Sequence, residues 1–242
     1  MSKAILSTKD QALREQVVTA SHVLGLEDQG DFIWGHVSIR DPEGRGVWMK
    51  ATGWGFEEIT PDRVLLVGWE GDVQAGDGRR HLEYPIHTEI MRARPEVNSV
   101  VHTHASHAVA FASLMQPLRP ISHEGSMFVP PDIARFTKTG DLILTRELGE
   151  ALAETLGRRN AALMVHHGIV TAGEDVETSV VMAILLERSC QKQLLAMAAG
   201  ELRTWSSDEE ALAKRARVYS AKQAWAYLVR KTATSVRGGA GR

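Results

Sequence analysis

The sequence predicts an α/β fold built on one mixed, largely antiparallel central sheet sandwiched between helices. Three observations predict it. Short β-branched, apolar runs alternate along the chain with longer segments of helical periodicity. The early strands are joined by hairpin-length turns, which a doubly wound parallel sheet does not use. The 242 residues, 43% of them hydrophobic, contain no internal repeat, no Pro/Ser-rich linker and no break in composition. That predicts a single domain over 1–242 with a full core.

Each element has its own local signal. Thr8-Lys9-Asp10-Gln11 has the form of a capping box. It opens a helix whose apolar positions Leu13, Val17, Val18, Val23 and Leu24 recur at helical spacing until Gly30. Strands are predicted at His36–Arg40, Val47–Ala51 and Arg63–Val67. The turn signal Asp41-Pro42-Glu43-Gly44 makes the first two a hairpin. A helix follows over Pro85–Ala93, then a buried strand Ser99-Val100-Val101-His102-Thr103-His104 and a helix over Ser106–Leu114. Beyond them come a short strand Leu142-Ile143-Leu144, a helix Arg146–Leu156, and a second buried strand Ala161–His166. A long core helix is predicted over Val176–Ala199 and a final helix over Asp208–Tyr227. The glycine-rich tail from about Thr232 is expected to fray.

Composition excludes several function classes. A formal net charge of -2, with no long basic run before the tail, gives no footprint for nucleic acid or another polyanion. The apolar start at Ala4-Ile5-Leu6 is too short for a signal-peptide core, and no apolar run reaches membrane-spanning length. The only cysteine, Cys190, sits in a helical pattern and has no internal partner. These features predict a cytoplasmic protein.

The chemistry lies in the histidines. His102 and His104 stand two apart in a strand, and alternation puts both imidazoles on one face. A third histidine from His166-His167-Gly168 would complete three nitrogen ligands and leave one coordination position open, as catalytic zinc requires. Glu83, just before Pro85, is the nearby carboxylate that can act as acid/base or as a displaceable fourth ligand. The competing reading is a set of core histidines satisfied by hydrogen bonds, which is harder to arrange because several imidazoles buried together leave donors and acceptors unmatched.

In their order and spacing, Gly35-His36-Val37-Ser38, Thr52-Gly53, Glu83, His102-Thr103-His104 and His167-Gly168 resemble the class II aldolase/adducin superfamily over about Thr8 to Leu202. The resemblance implies one divalent ion per chain, zinc by default with manganese, iron or cobalt also acceptable. It also implies His102, His104 and His167 as ligands, with His167 preferred because it directly precedes the glycine, and Glu83 as acid/base. A homotetramer with active sites between subunits is implied as well, and the aromatic C-terminal segment suggests that a residue such as Tyr227 reaches a neighbour's pocket. The segments Phe136–Ile143 and Leu186–Gln191 look most like the decarboxylase-like branch, which acts on dihydroxyphthalate and ring-cleavage acids.

The departures from the phosphate-using aldolases point the same way. Their phosphate cradle combines an asparagine, two serines and a Thr-Gly pair. Here Thr52-Gly53 remains, but the other positions are His36, His81 and Leu82. A less charged, bulkier small-molecule carboxylate is expected, its carboxylate meeting His36 or His81; the alternative is that both imidazoles pack locally. Where the aldolases carry a tyrosine stands His123, which can donate or accept a proton near neutrality. Three functions follow: decarboxylation of an aromatic hydroxy acid or related oxo acid, retro-aldol cleavage of an unphosphorylated hydroxy-oxo acid, or a non-catalytic, adducin-like interaction module. His22, His87 and His107 are read as structural.

Overall fold

In the computed structural model, which describes residues 7–218 and 220–239, eight strands form one sheet. They are β1 (His36–Arg40), β2 (Gly46–Lys50), β3 (Val64–Gly68), β4 (Val73–Ala75), β5 (Ser99–Thr103), β6 (Ala134–Phe136), β7 (Ala161–Met164) and β8 (Gly168–Gly173). Their spatial order is β4-β3-β2-β1-β5-β8-β7-β6. Every neighbouring pair is antiparallel except β6–β7, so the sheet is mixed and largely antiparallel.

Helices cover both faces. On one side α1 (Thr8–Leu26), α3 (Ser106–Leu114) and α5 (Val176–Ala199) pack on a core that includes Val37, Ile39, Trp48, Val101 and Ile169. On the other, α2 (Tyr84–Ala93) and α4 (Arg146–Leu156) bury Ile86, Ile90 and Leu152 against Met49, Val67, Val100 and Val170. Strand alternation accounts for the division. Val37 and Ile39 of β1 enter the first core, while His36 and Ser38 face α2 and meet His87 there. At the chain end, α6 (Asp208–Val218) sits over the segment near Gly125–Met127, and α7 (Ala221–Gly239) lies across α5 and α1.

Several boundaries differ from expectation for local reasons. The first helix is capped by Ser7, whose side chain accepts from the Asp10 N–H while Asp10 reaches back, so the box lies one residue earlier than Thr8. It ends at Leu26, not Gly30. Leu142-Ile143-Leu144 is no strand, because the Ile143 N–H is taken by the Glu83 carboxylate rather than by a neighbouring strand. The short edge strands β4 and β6 are additional. The strand predicted to run to His166 stops at Met164 and turns through three residues into β8, a Gly-bounded run the sequence reading passed over. The final helix breaks near Ser220 into α6 and α7, and α7 continues past Tyr227 to Gly239. The rest of the tail, 240–242, and the apolar start Ala4-Ile5-Leu6 lie outside the described residues. No helix among the described residues is long and apolar enough to cross a membrane.

Candidate metal centre

The site forms where the middle of the sheet meets the start of α2. His102 is fully buried on β5, between β1 and β8. His104 follows one residue beyond that strand. His167 ends the β7–β8 turn, in which His166 adopts φ 63°, a left-handed residue suited to a tight three-residue hairpin loop. Gly168 must be glycine, because a Cβ there would stand 2.5 Å from the Thr103 carbonyl oxygen and 2.9 Å from the His104 ring. Glu83 caps the start of α2 and points inward. One ligand atom from each of Glu83, His102, His104 and His167 lies within 4.8 Å of all the others.

Polar partners fix which nitrogen of His102 and of His104 faces the centre. His102 Nδ1 lies 2.9 Å from the Ile169 carbonyl oxygen, which can only accept, so Nδ1 carries the proton. His104 Nδ1 is 3.3 Å from Asp31 Oδ2, and the same argument applies. Both Nε2 atoms therefore present lone pairs, yet they face one another at 3.1 Å. Two acceptors cannot satisfy each other, and burial holds His102 well below its ordinary pKa, so protonation does not relieve the conflict. Both ring nitrogens of His167 are buried without a hydrogen-bond partner. A divalent cation among these atoms relieves the clash of the His102 and His104 lone pairs and gives one His167 nitrogen a partner, and the donor set suits zinc-like ions.

Glu83 is poised as an anion. Burial raises its pKa, but the His167 contact, the nearby His102 and the Ile143 N–H at 2.8 Å overcome that and hold it at about 2. Its oxygens lie 3.4 Å from His167 Nε2 and 3.8 Å from His102 Nε2.

Beside the cluster lies a second group of imidazoles. The His36 ring lies tilted against His81 and His102, with centroids 4.4 Å and 5.0 Å away. His36 Nδ1 is 2.6 Å from His87 Nε2, and His87 Nδ1 is 2.6 Å from Ser38 Oγ, so the three form a buried chain. His81 Nε2 is buried without a partner, and burial together with Lys50 and His87 pushes its pKa down to about 3. Thr52 and Gly53 occupy the turn after β2, where the Thr52 N–H donates to the Arg79 carbonyl. Leu82 and Tyr227 are exposed, and so is His123; none has a hydrogen bond or ring contact with the cluster in this protomer. His22 bonds the Ile59 carbonyl and His107 pairs with Glu187, away from the centre.

Two residues at the site carry no signal in the sequence: Asp31 and Trp34 lie in the loop before Gly35, where a charge and an aromatic residue look like ordinary surface. His87, expected to be structural, is so, through its bonds to His36 and Ser38.

The class II aldolase and adducin N-terminal domain model matches residues 15–194. The 4-hydroxy-3-prenylphenylpyruvate oxygenase/4-hydroxy-3-prenylbenzoate synthase of Streptomyces roseochromogenus is 32% identical over 76% of this chain and 67% of that protein. The 3,4-dihydroxyphthalate decarboxylase of Arthrobacter keyseri is 29% identical over 77% of this chain and 79% of its own. The L-fuculose 1-phosphate aldolase of Glaciozyma antarctica superposes with a TM-score of 0.81 at 28% identity, covering 100% of this chain and 94% of that one.

Proposed function

This chain belongs to the class II aldolase and adducin family, and on that premise we propose that it is a metal-dependent carbon–carbon lyase, a decarboxylase of an aromatic hydroxy acid of the dihydroxyphthalate kind or a related oxo acid. The observation that carries the reading is the set of converging imidazole nitrogens on His102, His104 and His167, without a proton between them, beside an ionised Glu83. A divalent ion on these nitrogens supplies Lewis-acid polarisation of substrate oxygens. The other roles fall to the chain's own groups. His36 or His81 meets the substrate carboxylate by a charge-assisted hydrogen bond, and the Thr52-Gly53 turn borders that end of the site. Glu83 accepts a proton from a substrate hydroxyl and returns it to the carbon that loses carbon dioxide. His123 and Tyr227, exposed in one protomer, serve the pocket of an adjacent copy.

The second reading is retro-aldol cleavage of an unphosphorylated hydroxy-oxo acid, favoured by the likeness to an aldolase structure. The two reactions differ in the bond broken, so the test measures both products. Zinc-loaded protein is given hydroxyaryl carboxylates, hydroxy-oxo acids and fuculose or ribulose phosphate. We expect carbon dioxide from the first group and poor turnover of the sugar phosphates. Glu83→Gln should keep metal and lose roughly a hundred- to ten-thousand-fold in turnover. Aldehyde without carbon dioxide would establish the aldolase reading. Protein that takes up no metal and turns over nothing would leave the interaction module.

A further inference from the structure

The pocket that opens on the histidines, about 530 Å³ in volume, has sides of unlike character. Its lining is polar at His104, His167, Asp31 and Ser106 and apolar at Trp34, Val109 and Leu142. Trp34 is 54% exposed and Leu142 42% exposed, and the only ring against the Trp34 indole among the described residues is the edge of Phe32, 5.8 Å away. A large indole face is thus left open beside the candidate ligands.

The backbone that carries this indole is held in place. The Trp34 backbone N–H donates to the Asp31 carbonyl at 3.0 Å, and the Asp31 carboxylate is engaged with His104. The preceding Ile33 carbonyl accepts from the buried Lys50 ammonium at 3.0 Å, and the same ammonium donates to the Trp54 carbonyl at 2.7 Å. The loop that carries Trp34 is therefore tied to the metal centre at one end and to the body of the sheet at the other. An exposed indole on an anchored backbone favours a flat partner, since the loop itself needs no ordering on binding.

We propose that Trp34 and Leu142 are the specificity wall of this site, taking the apolar ring of an aromatic substrate whose two oxygens chelate the ion. The inference rests on the reading of the histidine cluster as the chelating centre. A ring laid on the indole gains stacking and buries apolar area on both partners. A polyhydroxyl chain laid on the same side would turn hydroxyls toward Trp34 and Leu142, whose side chains accept no hydrogen bond, and only those reaching Asp31 or Ser106 across the pocket would be satisfied. The wall discriminates by what it fails to satisfy as much as by what it attracts.

The test uses zinc-loaded, full-length protein and two chelating probes, catechol and oxalate, titrated by calorimetry. Both bind through two oxygens, and only catechol has a ring. Trp34→Ala should weaken catechol by roughly tenfold or more while oxalate affinity and zinc content stay as in the parent. Trp34→Phe should recover most of the loss, and Leu142→Ser should weaken catechol alone. Unchanged catechol binding in Trp34→Ala overturns the proposal. So does equal weakening of both probes, or a change in sedimentation that makes Trp34 a subunit contact. A ring-dependent loss in protein that releases no carbon dioxide keeps the wall and removes the decarboxylase reading. Carbon dioxide release with no ring dependence does the reverse.

Discussion

His102 and His104 cannot satisfy each other. Their Nδ1 protons are committed to Ile169 and Asp31, and their Nε2 lone pairs meet at 3.1 Å. This gives Asp31 a defined role: it fixes the tautomer and orientation of His104 from behind, as outer carboxylates do for metal-binding histidines. Asp31→Ala should lower zinc affinity by about ten- to a hundred-fold, and Asp31→Asn, which keeps an acceptor oxygen and loses the charge, by less. Competition with a chromophoric chelator measures both, and an unchanged affinity in Asp31→Ala would end the idea. His102 and His104 were legible as a same-face pair from their spacing alone. Asp31 was not, because a carboxylate in a polar loop carries no sign of the imidazole that folding places against it.

Between β2 and its flanking loops, one charge is out of water. Lys50 is fully buried, and burial pulls its pKa from the ordinary 10.5 to about 8, against the weaker upward pull of Glu57 and Glu58. The folded protein therefore releases this proton before the unfolded chain does. Between pH 8 and 10.5 the unfolded chain binds more protons, so this residue makes stability rise with pH across that window, by at most about 3 kcal/mol. The neutral amine still has two N–H groups for the Ile33 and Trp54 carbonyls, so the loops stay anchored. Urea unfolding at pH 8 and pH 10, at fixed metal loading, should show a rise in the parent that Lys50→Met lacks. Parallel changes in the two proteins would assign the slope to other groups. Strand β2 itself was readable from its apolar run. The strand β8 was missed although Ile169-Val170-Thr171 is strand-like, because the histidines before it drew the boundary to His166.

Assembly is the step a single protomer leaves open. His123 and Tyr227 stand in solvent with no contact to the cluster, while Phe32 and Leu82 are exposed apolar groups near the segments that build the pocket. We expect a homotetramer in which neighbouring copies complete each site. Sedimentation equilibrium should give four chains at assay concentration, and dilution to monomer should cost activity before it costs bound metal. A fully active monomer would confine the chemistry to one chain and return His123 and Tyr227 to the surface.

The layered mixed sheet, the helices over Pro85–Ala93 and Val176–Ala199, and the residue types that gather at the centre are all legible in the order of residues. Those properties depend on periodicity and on short-range geometry, which the order of residues carries directly. Folding alone sets the Ile143 N–H against Glu83, His87 against His36, and Trp34 beside His104 and His167. Each of these joins segments 50 residues or more apart in the chain, and such pairings follow from how the sheet brings its strands together, not from any local pattern.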